Sequence, residues 1–141
     1  MFSNQPTYGD NPTARNSGQP SNHQGDWWIG GWENRPSSSS PAGGGQGDGP
    51  QGSLTSPTFV IAGNFFTFLI GGGCNIQGVR AELIVEGNVV RRETGSCHES
   101  MTKKRWNVSG YIGKQAQLRL IDNASGGWGH LNFDHFKEIC G

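Results

Sequence analysis

The stretch that decides the fold is VRAELIVEGNVVRRET, residues 79–94, in which apolar and polar side chains alternate on both sides of a short turn. Successive side chains of a β-strand point to opposite faces, so this alternation predicts two strands that each have one apolar face. The turn falls at Glu86-Gly87-Asn88, and the pair forms an antiparallel hairpin. The core residues predicted for the first strand are Val79, Ala81, Leu83 and Val85.

Six further short runs are rich in β-branched and aromatic residues and are separated by Gly, Asn and Ser turns. No segment keeps an apolar i, i+3, i+4, i+7 pattern, so no amphipathic helix is predicted. Eight strands of this kind are typical of a jelly roll, and the fold class is therefore an all-β jelly-roll β-sandwich. The six runs are DWWIGGWE, SLTSPTFVI, FFTFLIG, KRWNVS, AQLRLID and HLNFDHFKEI.

Alternation also assigns faces in the last two strands. If they share a sheet with the first hairpin strand, their polar sides form one solvent surface or one binding surface. The adjacent Trp27 and Trp28 cannot both face inward, so at least one of them must leave the core. The predicted inward residues are Ala116, Leu118, Leu120, Leu131 and Phe133, and the predicted polar face holds Arg80, Glu82, His130, Asn132 and Asp134.

Cysteine spacing predicts one disulfide. Cys74 lies just before the first hairpin strand and Cys97 just after the second, and an antiparallel pair brings these outer ends together. The alternative is two free, half-buried thiols. A disulfide would favour an oxidising, extracellular compartment. Cys140 is then left over for an intermolecular contact.

The amino-acid composition limits the classes of binding partner that the chain is expected to have. The chain has 11 basic and 11 acidic residues, and this zero net charge argues against nucleic acid and against polybasic docking to lipid. The longest apolar stretch, near residues 65–70, is far shorter than the about 20 residues of a membrane span, so no membrane insertion is expected.

The start MFSNQPTYGD lacks the basic and apolar regions of a signal peptide. We therefore expect a fragment of a longer secreted protein.

The chain divides by composition into two parts. Residues 1–22 are polar and aperiodic and are expected to form a loop-like amino-terminal segment. Residues 23–140 form the predicted sandwich module, which a long Ser/Gly-rich stretch at 34–52 interrupts. Such a low-complexity stretch predicts a flexible loop, and loops of this length tend to be functional or disordered.

The series GSLTSPTFVI, FFTFLIGGG, VRAELIVEGNVVRRETG and RWNVSGYIGKQAQLRLIDNASGGWGHLNFDHF resembles a module found beside levanase-like glycoside hydrolases and in large secreted proteins. The upstream SNHQGDWWIGGWE resembles a strand of the same module, so the resemblance covers about residues 22–136. It implies a galactose-binding-like jelly roll that serves as a non-catalytic ancillary domain. It also implies sugar binding at loop tips or on the concave sheet, and in many members a structural calcium. The cysteines and the Ser/Gly loop are departures from the pattern.

The candidate ligand site centres on GGWGH. Its glycines place Trp128 at a loop tip beside His130, and an exposed tryptophan is a platform for sugar rings. Asn132, Arg80 and Glu33 would complete a polar pocket. The alternatives are a tryptophan packed over the end of the sandwich and an ordinary solvated lattice of hydrogen bonds.

Catalytic motifs are absent from the sequence. FLIGGG lacks the lysine and hydroxyl of a phosphate loop, so its glycines predict a tight turn or a close backbone approach. A glycosidase needs two carboxylates at a defined separation, which spacing alone does not supply. No H-E-x-x-H or G-x-S-x-G element occurs. We therefore expect a protein that is not an enzyme.

Modification and metal sites complete the expectations. Asn107-Val108-Ser109 and Asn123-Ala124-Ser125 are sequons, which would make a secreted form a glycoprotein. Asp134 could bind calcium together with carboxylates of earlier segments. Arg91-Arg92 and Lys103-Lys104-Arg105 are short basic runs that predict solvated sheet faces or contacts with an acidic glycan.

Two functions fit these features. The first is an extracellular module that recognises a glycan within a larger secreted protein. The second is a structural module of a matrix, appendage or fibre, in which exposed strand edges and Cys140 contact other extracellular proteins. Fold alone does not decide between binding and assembly.

Overall fold

The computed structural model describes residues 6–140 and contains two antiparallel β-sheets. Within this range the chain also forms a short helix, α1 (Asn11–Ala14), and a single 3-10 turn at Ser109–Tyr111. No helix of the described part is long and apolar enough to cross a membrane. The ten strands are β1 (Thr7–Tyr8), β2 (Trp27–Gly30), β3 (Gly52–Thr55), β4 (Phe59–Val60), β5 (Phe65–Gly72), β6 (Val79–Val85), β7 (Asn88–Glu93), β8 (His98–Asn107), β9 (Gln115–Asp122) and β10 (Leu131–Ile139).

The first sheet has the order β1-β2-β10-β5-β8, and the second has the order β3-β9-β6-β7 with β4 beside β9. The all-β sandwich is thus confirmed, with ten strands where the sequence predicts about eight. β1 is one addition. The other arises because SLTSPTFVI breaks into β3 and β4 at Ser56-Pro57, where proline has no N–H for the ladder.

The hydrophobic core lies between the two sheets, and the alternation of apolar and polar side chains correctly predicted the residues that β6 contributes to it. All four inward residues of β6 are at most 4% exposed. Phe68 of β5 lies at the centre, with its ring centroid 4.5 Å from Trp106 and 5.3 Å from Phe133. Trp28 is buried and Trp27 is 41% exposed, which confirms that one of this pair leaves the core.

The three polar faces do not share one sheet. Strand β6 pairs with β9 in the second sheet, whereas β10 pairs with β2 and β5 in the first. Arg80 and Glu82 therefore lie on the outer face of the second sheet, on the opposite side of the molecule from His130 and Asn132. Alternation reports which side chains share a face of one strand, but it does not report which strands are neighbours.

The described part of the polar amino-terminal segment, residues 6–22, covers the outer face of the first sheet instead of forming a simple loop. The backbone N–H of Met101 donates to the Ser21 carbonyl (2.8 Å), and that of Glu99 donates to Gln19 Oε1 (2.9 Å). Ser21 is fully buried. As a consequence, His130 and Asn132 are buried although they point away from the core.

The Ser/Gly-rich stretch at 34–52 folds back onto the end of β2. The N–H of Asn34 donates to the Gly44 carbonyl (2.9 Å), and that of Gln46 donates to the Trp32 carbonyl (2.7 Å). These bonds bring the stretch beside the segment that follows β2.

The β6–β7 hairpin and its disulfide form as predicted. Glu86 and Gly87 both have positive φ, of 49° and 84°, which matches the twist of a two-residue hairpin turn. Cys74 and Cys97 are joined by a disulfide, with their Cα atoms 4.9 Å apart. The disulfide is compatible with an oxidising compartment. Cys140 is free and exposed.

Candidate functional site

A cavity of about 460 Å³ opens on the covered side of the first sheet, between two tryptophan side chains. Its polar lining comes from four distant parts of the chain: the residue after α1, the Ser/Gly-rich stretch, β8 and the loop before β10. We call it the Trp32–Trp128 cavity. Its main lining residues are Trp32, Trp128, Arg15, Asp48, Glu99 and His130.

The loop that carries Trp128 and His130 depends on a close backbone approach. Gly72 has φ of +85°, and a Cβ atom on it would lie 2.6 Å from the His130 carbonyl oxygen. That carbonyl accepts a hydrogen bond from the N–H of Gly73 at 2.8 Å. The glycines of FLIGGG therefore serve the close approach that the sequence predicts, and they seat the GGWGH loop against β5.

His130 connects two carboxylates at the floor of the cavity. Its Nδ1 lies 2.5 Å from Asp48 Oδ1, and its Nε2 lies 2.6 Å from Glu99 Oε1. Glu99 also forms an ion pair with Arg15. Arg15 in turn donates to Glu33 Oε1 at 3.1 Å. The result is a continuous chain of hydrogen-bonded charges from Asp48 to Glu33.

Burial and charge shift the pKa values in this chain. Burial alone would lower the pKa of His130, but hydrogen bonds and charges from Glu99 and Asp48 outweigh it and raise the pKa. Burial would likewise raise the pKa of Glu99, but His130 and Arg15 outweigh it and lower the pKa. At Glu33 burial prevails and raises the pKa. The pair of His130 and Glu99 is therefore held in its charged form.

The same groups position both aromatic walls. The guanidinium of Arg15 lies 4.1 Å from the ring centroid of Trp32, a cation–π geometry. Trp128 stacks on the His130 ring at 5.4 Å, and its backbone N–H donates to Asp48 Oδ2 at 3.1 Å. The positions of the two tryptophans are therefore coupled to those of Arg15, His130 and Asp48.

The predicted ligand residues separate into three places. Trp128 and His130 line the cavity as predicted. Glu33 and Asn132 are fully buried beneath it; Asn132 Nδ2 donates to the Glu99 carbonyl at 3.0 Å. Placing Arg80 in this pocket is wrong, because β6 belongs to the other sheet and Arg80 bonds Glu82 there.

Sequence reasoning missed four of the main lining residues, Trp32, Arg15, Asp48 and Glu99. Glu99 precedes the strand predicted at KRWNVS, and Arg15 and Asp48 lie in segments predicted as loops. Two of them carried a usable signal. Arg15 is the only basic residue before His23, and Asp48 is the only charged residue between Arg35 and Arg80. Asp48 is thus a lone charge in a long neutral stretch, and Arg15 has only Asp10 as an acidic residue nearby in the sequence.

The remaining predicted sites lie apart from the cavity. Asp134 accepts a hydrogen bond from the Gln24 N–H at 2.7 Å. Among residues 6–140 no group of three or more His, Cys, Asp or Glu side chains could hold a metal ion, and calcium at Asp134 stays a prediction. Asn107 and Asn123 are both exposed, at a strand end and in a loop.

No family model matches the chain. A protein of Aspergillus rugulosus named "Putative glycosyl hydrolase ecdE" is 43% identical over 94 residues. The match covers 67% of this chain, and the chain spans only 13% of that protein.

Two solved structures show limited similarity. A cyclase from Fischerella sp. TAU has a TM-score of 0.39 and 21% identity, over 60% of this chain and 52% of that chain. A Paenibacillus sp. cycloisomaltooligosaccharide glucanotransferase, complexed with cycloisomaltoheptaose, has a TM-score of 0.38 and 9% identity, over 85% of this chain and 16% of that chain. TM-scores this low do not establish a shared fold.

Proposed function

We propose that this chain is a non-catalytic glycan-binding module of a larger extracellular protein, with the sugar held in the Trp32–Trp128 cavity. The observation that carries the proposal is the pair of tryptophan rings over a floor of mutually fixed polar groups. Aromatic faces pack against the C–H faces of sugar rings, and the floor groups can hydrogen-bond hydroxyls. The cavity volume falls within the ~300–1,000 Å³ of small-molecule sites.

The charges of the lining favour a neutral sugar. Arg15 and protonated His130 supply two positive charges, and the carboxylates of Asp48 and Glu99 supply two negative ones. Because these groups are already paired with each other, an ionic ligand would have to displace an existing partner. Hydroxyl groups can instead use the remaining donor and acceptor positions.

Binding is favoured over hydrolysis by the state of the carboxyl groups. A glycosidase acid needs a raised pKa so that it holds a proton at neutral pH. Glu99, which lines the cavity, has a lowered pKa. Glu33 has a raised pKa, but it is only 1% exposed and lies behind Arg15. We expect no release of reducing sugar from any polysaccharide that the chain binds.

Three further observations support a role within a secreted carbohydrate-active protein. The relative named a glycosyl hydrolase is about 43% identical, yet this chain corresponds to only 13% of it, which fits an ancillary module. The Cys74–Cys97 disulfide is compatible with secretion. The two sequon asparagines, Asn107 and Asn123, are accessible for glycosylation.

Calorimetric titration with neutral oligosaccharides of glucose, galactose, xylose, mannose or fructose tests the proposal. Trp128→Ala and Trp32→Ala should each weaken binding about tenfold or more, and His130→Ala should also weaken it. Trp27→Ala is the matched control, because Trp27 is exposed and does not line the cavity. Circular dichroism should show that every variant is folded. A folded wild-type protein that binds none of these sugars would contradict the proposal.

Assembly through Cys140 is the alternative function, favoured by the exposure of this free thiol just after β10. It predicts disulfide-linked oligomers under oxidising conditions that Cys140→Ser removes. Light scattering that shows a monomer, with Cys140 fully open to alkylation, would contradict assembly and leave glycan binding unaffected.

A further inference from the structure

The outer face of the second sheet carries three arginines around one buried glutamate. Glu82 of β6 is paired in register with Arg92 of β7 and with Arg119 of β9. Thr55 of β3 is paired with Arg119, so one row of side chains crosses β3, β9, β6 and β7. Arg80 lies two residues before Glu82 on the same face of β6. We call these three arginines and Glu82 the arginine row.

Glu82 is sealed by guanidinium groups that themselves reach solvent. Its Oε1 accepts from Nε and Nη2 of Arg119 at 3.1 and 2.8 Å, and its Oε2 accepts from Arg80 Nε at 2.8 Å. Arg92 lies further away, with its Nε 3.7 Å from Oε2. The Glu82 side chain is 2% exposed, whereas those of Arg92 and Arg119 are 51% and 36% exposed.

The row has an excess of two positive charges. Burial alone would raise the pKa of Glu82, but hydrogen bonds and charges from Arg80 and Arg119 outweigh it and lower the pKa. The carboxylate therefore stays ionised and offsets one of three cations. Within residues 6–140 these arginines form ion pairs with Glu82 alone. The surplus is concentrated on one face of a chain whose net charge is zero.

The buried carboxylate also orders Arg80 and Arg119 through hydrogen bonds. An arginine fork that is already held by one carboxylate loses less side-chain entropy when its outward N–H groups bind a second anion. We propose that the arginine row binds an anionic polysaccharide, a chain bearing carboxylate or sulfate groups, at a surface separate from the Trp32–Trp128 cavity.

The rest of the face favours a polysaccharide over an acidic polypeptide. Ser53 and Thr55 are exposed on β3 next to the arginine row, and their hydroxyls can hydrogen-bond sugar hydroxyls. The row lies on the face of the sheet, where a flexible polymer can follow successive cations. A bound peptide would instead use pockets for alternate side chains or an edge strand.

Calorimetric titration of the whole chain with polygalacturonate and with heparin tests this inference. We expect binding at about 50 mM NaCl that weakens as salt rises. Arg92→Gln should weaken it about fivefold, and Arg92→Gln with Arg119→Gln should abolish it. Lys104→Gln is the matched control, since it removes one exposed positive charge from β8 of the other sheet. Trp128→Ala should leave polyanion binding unchanged, which separates this surface from the proposed neutral-sugar site.

Three results would overturn the inference. One is a folded wild-type protein that binds neither polymer. Another is an equal loss of affinity in Lys104→Gln and Arg92→Gln. The third is equally tight binding of poly-glutamate, because the surface would then respond to charge alone. Arg92→Gln decides the matter even if the double variant does not fold, because Arg92 is half exposed and makes no short bond to Glu82.

Discussion

The two outer faces of the sandwich both bury a glutamate beside arginine, but they differ in what lies above it. On the first sheet, Glu99 and its partner Arg15 lie under the amino-terminal segment, and the Arg15 side chain is 19% exposed. On the second sheet, the side chain of Arg92 is 51% exposed. The same pairing of charges thus becomes the floor of a cavity in one place and an open cationic surface in the other.

The cover on the first sheet has its own hydrogen-bonded anchor. Asn11 is fully buried, and its Nδ2 donates to Glu33 Oε2 and to the Gly44 carbonyl, both at 2.7 Å. Its Oδ1 accepts from the N–H of Gly43 at 2.6 Å. One amide therefore ties the amino-terminal segment to the Ser/Gly-rich stretch and to the charged network. An open face needs no such anchor.

Truncation of Glu99 should show the largest difference between the faces. Glu99→Ala removes the buried carboxylate that joins His130 to Arg15 and leaves them only Asp48 and Glu33 as counter-charges, and we expect a loss of about 3–5 kcal/mol in the free energy of unfolding. Glu82→Ala is the comparison, and we expect about 1–2 kcal/mol because its arginines reach water. Urea unfolding followed by circular dichroism measures both. Equal losses would show that the cover makes no energetic difference.

Asp122 offers a buried carboxyl without an arginine. The residue is 1% exposed, its Oδ2 has no hydrogen-bond partner among residues 6–140, and burial raises its pKa to about 6. The stabilisation that the protonated Asp122 carboxyl provides is fully present below pH 3.8, the ordinary pKa of the group. It is lost as the pH rises through about 6. Asp122→Asn should thus be more stable than wild type by up to about 3 kcal/mol near pH 8. Near pH 4 the two proteins should unfold alike.

Alkaline pH should weaken the covered face and leave the open face unaffected. Burial opposes the charged form of His130, but Glu99 and Asp48 outweigh it and raise the pKa of His130. The stabilisation that charged His130 provides is therefore fully present below pH 6.5, the ordinary pKa of histidine, and is lost as the pH rises through the raised pKa. Neutral His130 still keeps hydrogen bonds, so the loss should be smaller than that of Glu99→Ala. Unfolding between about pH 6 and pH 9 should show this decline in wild type and in Glu82→Gln, and His130→Gln should lack it.

Asp48 tests whether the Ser/Gly-rich stretch belongs to the cover. Asp48→Asn should lower the free energy of unfolding by only about 1 kcal/mol, because the side chain is partly exposed. The backbone N–H of Trp128 donates a hydrogen bond to Asp48 Oδ2. The loss of the Asp48 charge should therefore shift the ¹⁹F resonance of a fluorotryptophan at position 128. Asp26→Asn, at an exposed position, is the control. An unchanged Trp128 resonance would show that Asp48 does not position the ring.

The smallest effect is expected at Arg92. Arg92→Gln should change the free energy of unfolding by less than about 0.5 kcal/mol, because a half-exposed arginine 3.7 Å from its partner contributes little. Arg15→Gln, under the cover, should cost several times more. A large loss at Arg92 would mean that the open face is as strongly coupled as the covered one.

Much of the fold could be predicted from local pattern. The bounds of β6 follow from alternation alone, and the spacing of Cys74 and Cys97 around the hairpin predicts their disulfide. The sheet that contains β10 could not be predicted, because strand neighbours depend on long-range pairing that a single strand does not encode. β1 is two residues long and carries no periodic signal.

The candidate site could be predicted only in part. Trp128 and His130 follow from a glycine-rich loop that presents an aromatic ring. Arg15, Asp48 and Glu99 lie 84 residues apart at the extremes and become neighbours only when the amino-terminal segment covers the sheet. No pattern within a short window could have joined them.

The amino-acid sequence by itself determined the class of fold, the hairpin, the disulfide and the apolar faces, because each depends on interactions between residues close along the chain. Only the tertiary structure decided which polar face is covered. Residues of ordinary loop composition fold over one sheet and not the other, and this cover removes water from Glu99 and His130 while Arg92 and Arg119 beside Glu82 stay hydrated. Burial under distant segments is a property of the whole chain, and it separates an enclosed cavity from an open charged surface.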